Sequence, residues 1–152
     1  MKVSKFLSLV ACISAIGVAA DVMAQARPEV LVKQRQAAMT LQGKYYAPIR
    51  AMAQGRAPYD AAVVARNAGY LDSLTRMAWD GFNPTTRELK SGTLPAAYSD
   101  AAKFKESQDQ LIADAAKLLL LTKGGDEAAI KGQILAMDKA CSGCHEVFRE
   151  RQ

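Results

Sequence analysis

The stretch "IKGQILAMDKACSGCHEVF" runs from Ile130 to Phe148. Within it, Ile130, Ile134, Met137, Cys141, Cys144 and Phe148 step by four and three. That spacing places side chains on one face of an α-helix. The segment therefore reads as a helix with an apolar face that needs partners. Asp126 stands at its start as a suitable N-cap, and the helix is expected to continue to the terminus.

Working outward, three more helical stretches supply those partners. The first opens at Pro28-Glu29, where a proline suits the first helical turn. It carries Val32, Arg35, Met39, Tyr46 and Ile49 near one face, should kink at Pro48, and stops at Gly55. The second begins at Pro58 and ends near Asp80-Gly81; the third starts after Pro95 and ends at Lys123-Gly124-Gly125. Between them, "DGFNPTTRELKSGTLP" (Asp80 to Pro95) is a loop by its glycine, asparagine, proline and threonine content. Loops of that length are either floppy or pressed against something functional. Four long helices with short joints describe an all-α, antiparallel, up-down-up-down four-helix bundle. The sequence has neither the internal repeats of a solenoid nor a parallel-sheet pattern.

Composition agrees. The chain has 152 residues, of which 50% are hydrophobic and 7% aromatic, enough for one domain with a core. Alanine is abundant and β-branched runs are few, which favours helix. Residues 1–26 read as a secretory signal peptide: Lys2 and Lys5, then "FLSLVACISAIGVAA", then small residues that place cleavage after Ala24 or Ala26. The apolar run is short for a membrane span, so no stable membrane insertion is expected after leader removal. "LVAC" (Leu9 to Cys12) has too little apolar sequence before it for a lipoprotein box. The mature domain is then 27–152. Losing two lysines and Asp21 lowers the formal charge from +5 to +4 and leaves Cys141 and Cys144 as the mature cysteines. No basic cluster is interleaved with aromatics, so nucleic acid is not an expected partner. A secretory leader implies a periplasmic, oxidising setting.

Cys141-Ser-Gly-Cys144-His145 has the spacing by which c-type haem is attached. Thiols on adjacent turns can each add to one vinyl group of a porphyrin, and the following histidine reaches the iron. Other chemistries fit less well. A thioredoxin-like pair belongs at a helix start after a strand. Structural zinc wants four ligands, and the sequence has one histidine. A disulfide across Cys-x-x-Cys within a helix is strained. The single histidine also limits the sixth iron position to methionine, a weaker ligand, or none. No methionine occurs between Glu146 and Gln152, so an opposing group is expected from earlier sequence. Met137 shares the histidine's helix and cannot reach the other haem face. Met39 is the best placed by pattern, with ordinary core packing as its alternative.

The sequence resembles the class II c-type cytochromes, the cytochrome c prime family. The resemblance covers essentially the whole mature chain and rests on "CSGCHEVFR" (141–149), "RQAAM" (35–39), "APYDAAVVARNAGYLDSLTRMAWDGFNP" (57–84) and "YSDAAKF" (98–104). It implies a four-helix bundle, often a homodimer, with one covalent haem c near one end. Cys141 and Cys144 would make the thioethers and His145 the axial iron ligand. By the same resemblance Arg35 would meet a haem propionate, and Met39 would cover the distal face. Trp79 and Phe82 would line the distal pocket, with ordinary core as their alternative. Arg149 would sit one turn past the histidine, with a solvated terminal arginine as its alternative.

Two roles follow. An empty sixth site would bind small uncharged gases, nitric oxide or carbon monoxide, beside one-electron transfer with redox partner proteins. Met39 on the iron would instead make a closed, low-spin electron carrier. No carboxylate pair, nucleophile–histidine pair or glycine-rich loop points to an enzyme.

Overall fold

A computed structural model describes residues 27–151. The leader expected over residues 1–26, its cleavage site and Cys12 lie outside the described residues. The chain forms α1 (Pro28–Ala53), α2 (Ala61–Met77), a one-turn α3 (Ala96–Ser99), α4 (Ala101–Gly124) and α5 (Glu127–Phe148). Helix α1 packs on α2 and α5, and α4 packs on the same two, closing the four-helix bundle. Among the described residues there is no strand; one isolated bridge pairs Thr93 with Arg149. Nor is any described helix long and apolar enough to cross a membrane.

Capping chemistry sets most boundaries and corrects three expectations. Helix α2 starts at Ala61 rather than Pro58, because the Asp60 carboxylate accepts from the Ala62 and Val63 amides at 2.9 and 3.0 Å. The third long helix is not continuous from Pro95. It breaks at Asp100 (φ −112°, ψ 58°), whose side chain caps α4 at the Lys103 amide. Helix α5 does not run to the terminus. It ends at Phe148 and Arg149 turns extended, because the tail pairs with the end of the long loop: Leu94 N donates to Phe148 O at 2.9 Å and Glu150 N to Gly92 O at 3.0 Å. Asp126 caps α5 as expected. Gly125 closes α4 at φ +74°, a conformation open to glycine at little cost.

Pro48 lies inside α1, which continues through it as a single helix. Proline has no amide hydrogen, so the Lys44 carbonyl loses its helical donor. One residue on, Asn67 Nδ2 of α2 donates to the Tyr45 carbonyl at 2.9 Å, which ties this weakened turn to its neighbour.

The main core gathers Ile49, Leu71, Leu118, Ile134 and Met137 from the four long helices. Each such side chain taken out of water stabilises the fold by about 1.5–3 kcal/mol. Ala38 and Gln42 join the buried face of α1, while Met39 and Tyr46 sit shallower than the periodicity implied. A second cluster occupies the end of the bundle where α5 finishes: Ala97, Phe104 and Phe148, with Trp79, Phe82, Tyr98 and Cys144 against them.

Candidate functional site

Cys141 and Cys144 are free thiols, both partly buried, one turn apart on α5. Cys141 packs against the main core and Cys144 against the end cluster, so the pair bridges the two. Burial, then the charges of Asp138 and Cys144, push the Cys141 thiol up to about 11. Burial also raises Cys144, opposed by a hydrogen bond with Ser107. His145 is held below the ordinary imidazole range, first by burial and then by the Arg149 charge. A neutral imidazole is the form that ligates a metal. A cleft of about 230 Å³ between α4 and α5 lies beside Cys144, lined by Glu106, Ser107, Gln110, Lys139 and Gly143.

The three phenylalanines at this end form an edge-to-face chain, with Trp79 tilted against it. Phe82 meets Phe104 at 4.8 Å, Phe104 meets Phe148 at 5.0 Å, and Trp79 lies 5.9 Å from Phe82. Trp79 Nε1 is buried and has no acceptor. A buried donor left alone costs roughly 1–3 kcal/mol, so it points to a missing partner.

Arg35 is 2% exposed. Its guanidinium donates to Gly81 O at 2.5 Å, Thr86 Oγ1 and Tyr98 Oη at 3.0 Å, and Ser91 Oγ at 2.6 Å. It also lies 4.5 Å over the Phe82 ring. Among the described residues no carboxylate forms an ion pair with it. A buried cation with only neutral partners is a natural seat for an anion. The close approach of the loop depends on Gly81: a Cβ there would lie 2.6 Å from Arg35 Cβ and 2.7 Å from the Leu31 carbonyl. The loop from Asp80 to Pro95 is thus pressed onto α1, through 3-10 turns at Trp79–Phe82 and Pro84–Thr86.

Met39 is partly buried and belongs to neither cluster. Its height follows from helix register. Arg35 shares the bundle end with Phe148 through Phe82 and Phe104, and Tyr46 meets Ile134. Helices α1 and α5 are antiparallel, so Met39, between Arg35 and Tyr46, falls level with the turn Cys141–His145. Arg149 is exposed on the extended tail, close enough for its charge to act on His145.

The structure therefore brings Arg35, Trp79, Phe82, Cys144 and Phe148 to one end, with Cys141 and Met39 on its inner side and Arg149 at its rim. Sequence reading missed Thr86, Ser91 and Tyr98, the oxygens around Arg35, and Ser107 beside Cys144. Nothing local marks these; they acquire their roles through contacts as far as 63 positions apart in sequence.

The chain is similar to known proteins over nearly all of the described residues. The family model described as Cytochrome C' matches residues 30–149. Cytochrome c' of Rubrivivax gelatinosus is 39% identical over 127 residues, covering 82% of this chain and 98% of that protein. Its crystal structure superposes with a TM-score of 0.78 at 38% identity, over 82% of this chain and 98% of that one. A ferrous variant of cytochrome c prime from Alcaligenes xylosoxidans with bound nitric oxide gives a TM-score of 0.77 at 30% identity, over 84% of this chain and 99% of that one. A carbon monoxide-bound variant of the same protein gives 0.76 at 32% identity, over 83% and 98%. This chain belongs to the cytochrome c prime family, whose cofactor is covalently bound haem c.

Proposed function

We propose that this chain holds its haem through thioethers to Cys141 and Cys144, with His145 as the axial nitrogen on the iron, and works in the periplasm as a one-electron carrier that also binds small gases. The reading is supported above all by two groups at the end of the bundle that Cys144 shares: a buried arginine without a carboxylate, stacked on Phe82, and a buried indole N–H without an acceptor. Both match the anionic edge of a porphyrin carrying propionates, and the residues present fit the group. Bound there, haem c supplies an iron that cycles between ferric and ferrous and accepts a gas.

The chain's own groups do the rest. Arg35 and Trp79 orient the anionic edge. Phe82, Phe104 and Phe148 exclude water from the bundle end, which strengthens every electrostatic contact there. Met39 covers the distal face, admitting small uncharged ligands and turning away charged ones by desolvation. Arg149, at the rim near His145, orients an anionic or gaseous ligand on that side. The relatives with bound nitric oxide and carbon monoxide support gas binding. The apolar side chains exposed on α1 and α2, Leu41, Tyr70 and Met77, fit a homodimer seam, and redox partner proteins would meet the bundle elsewhere.

The test is production with haem-attachment machinery, then haem staining on a denaturing gel, a mass measurement, and spectra of both oxidation states with and without nitric oxide. High-spin bands that change on adding the gas are expected. Colourless protein with the mass of the polypeptide alone overturns the reading. One observation favours a second state, in which Met39 ligates the iron: its thioether is claimed by neither core cluster. In that case the spectrum is low-spin and Met39→Ala abolishes it.

A further inference from the structure

Among the described residues, α1 meets α5 through two polar contacts, and both lie one to two turns before Cys141. The Tyr46 hydroxyl donates to the Ile134 carbonyl at 2.8 Å, and Arg50 Nε stands 2.9 Å from Asp138 Oδ1, a charge contact without hydrogen-bond alignment. Asp138 also faces the Tyr46 hydroxyl and acts electrostatically on Cys141. The other polar ties of α1 go elsewhere. Arg35 and Gln36 hold the long loop, Gln42 donates to the Leu74 carbonyl of α2, and Tyr45 accepts from Asn67 of α2.

We propose that Tyr46, Arg50 and Asp138 form a clamp that sets the height of Met39 above the haem and so positions the distal cover that limits gas binding. The proposal rests on the haem reading above and goes beyond it, since none of the three residues touches the haem in that reading. Met39 has no core cluster to hold it, so its place depends on where α1 stands along α5. Tyr46 lies seven residues past Met39, and His145 seven past Asp138. At about 1.5 Å per residue both intervals are about 10 Å, and the helices are antiparallel. A shift at the clamp is therefore delivered to the turn that carries the thiols and the imidazole. Through these two contacts α1 is referenced directly to the helix that carries the iron ligand.

The test uses the haem-containing protein and three variants. Tyr46→Phe keeps the ring and removes the hydroxyl. Arg50→Gln weakens the outer pair and serves if the first variant fails to fold. Asn67→Ala is the control: it removes a tie between α1 and α2 and leaves the clamp intact. Two readouts are taken, ferrous carbon monoxide affinity and amide hydrogen exchange across residues 138–145. Tyr46→Phe, or Arg50→Gln in its place, should raise carbon monoxide affinity at least about threefold and speed exchange at residues 138–145 at least about fivefold. Asn67→Ala should do neither, even where it lowers stability as much. Unchanged or lower affinity in the clamp variants, or an equal rise in the control, overturns the proposal. Failure to take up haem in the wild type would instead overturn the haem reading, so the two failures are distinguishable.

Discussion

Replacing Arg35 by methionine tests the centre of the site, because it removes the charge and keeps most of the volume. The guanidinium makes four hydrogen bonds, to Gly81 O, Thr86 Oγ1, Tyr98 Oη and Ser91 Oγ. At about 1 kcal/mol net for each, their loss costs about 4 kcal/mol. Part is returned. Thr86 Oγ1 and Tyr98 Oη keep each other at 2.8 Å, and Gly81 O keeps Thr86 Oγ1 at 3.2 Å. Burial of a cation is relieved as well. A net loss of about 2–3 kcal/mol is expected in the haem-containing protein, where an anionic partner would also be stranded. With a urea slope of about 1.5 kcal/mol per molar, the unfolding midpoint should fall by about 1.3–2 M. If Arg35 meets the anionic edge of the haem as proposed, removing its positive charge also favours the ferric state, so the reduction potential should fall. Urea unfolding followed by circular dichroism, paired with a spectroelectrochemical titration, measures both. A stability loss under about 0.5 kcal/mol, or an unmoved potential, refutes the assignment of Arg35 to the anionic edge of the haem.

Other expectations are as direct. Trp79→Phe removes a buried donor that has no acceptor within the protein, so it should cost the haem-containing protein about 1–2 kcal/mol if a propionate accepts from Nε1; a gain in stability on urea unfolding refutes that partner. Gly81→Ala should cost about 2–3 kcal/mol by forcing a Cβ against Arg35 and the Leu31 carbonyl, and a calorimetric melting temperature within 2 °C of wild type, about the shift of a 0.5 kcal/mol change, would show that the loop can yield. Burial, then the Asp138 charge, holds the Tyr46 phenol above its ordinary value near 10. A raised folded-state value means that this stabilisation is complete below about pH 10 and is lost as the pH climbs through the folded value. Wild type should therefore lose stability more steeply than Tyr46→Phe between about pH 10 and 11.5, and parallel unfolding curves refute the shift.

Much of the site is legible along the chain because its central residues are local. Cys141, Cys144 and His145 fall within one helical turn, and the 3.6-residue period alone places the cysteines on the inner face. The long helices are legible for the same reason, through apolar stripes and caps at Pro28 and Asp126. Asp60 and Asp100 cap in the same local way, but the prolines at 58 and 95 are the more conspicuous start signals. Met39 and Tyr46 lie on the apolar stripe of α1 yet are only partly buried, Tyr46 against the main core, because a stripe does not show how closely the neighbouring helices approach. Ala38 and Gln42 take the deeper positions.

The all-α bundle, the attachment motif and the face of α5 that carries it follow from residues within a turn or two of one another, so they can be read along the chain. Where Arg35 finds its oxygens, why α5 stops at Phe148, and how far along α5 Met39 stands emerge only when the chain is packed. Those outcomes depend on a loop folding back across α1 and on helices packing side by side, which bring together groups 46 to 63 positions apart around a single guanidinium. Local periodicity carries no record of which carbonyl or hydroxyl will arrive there; close packing of the whole bundle does.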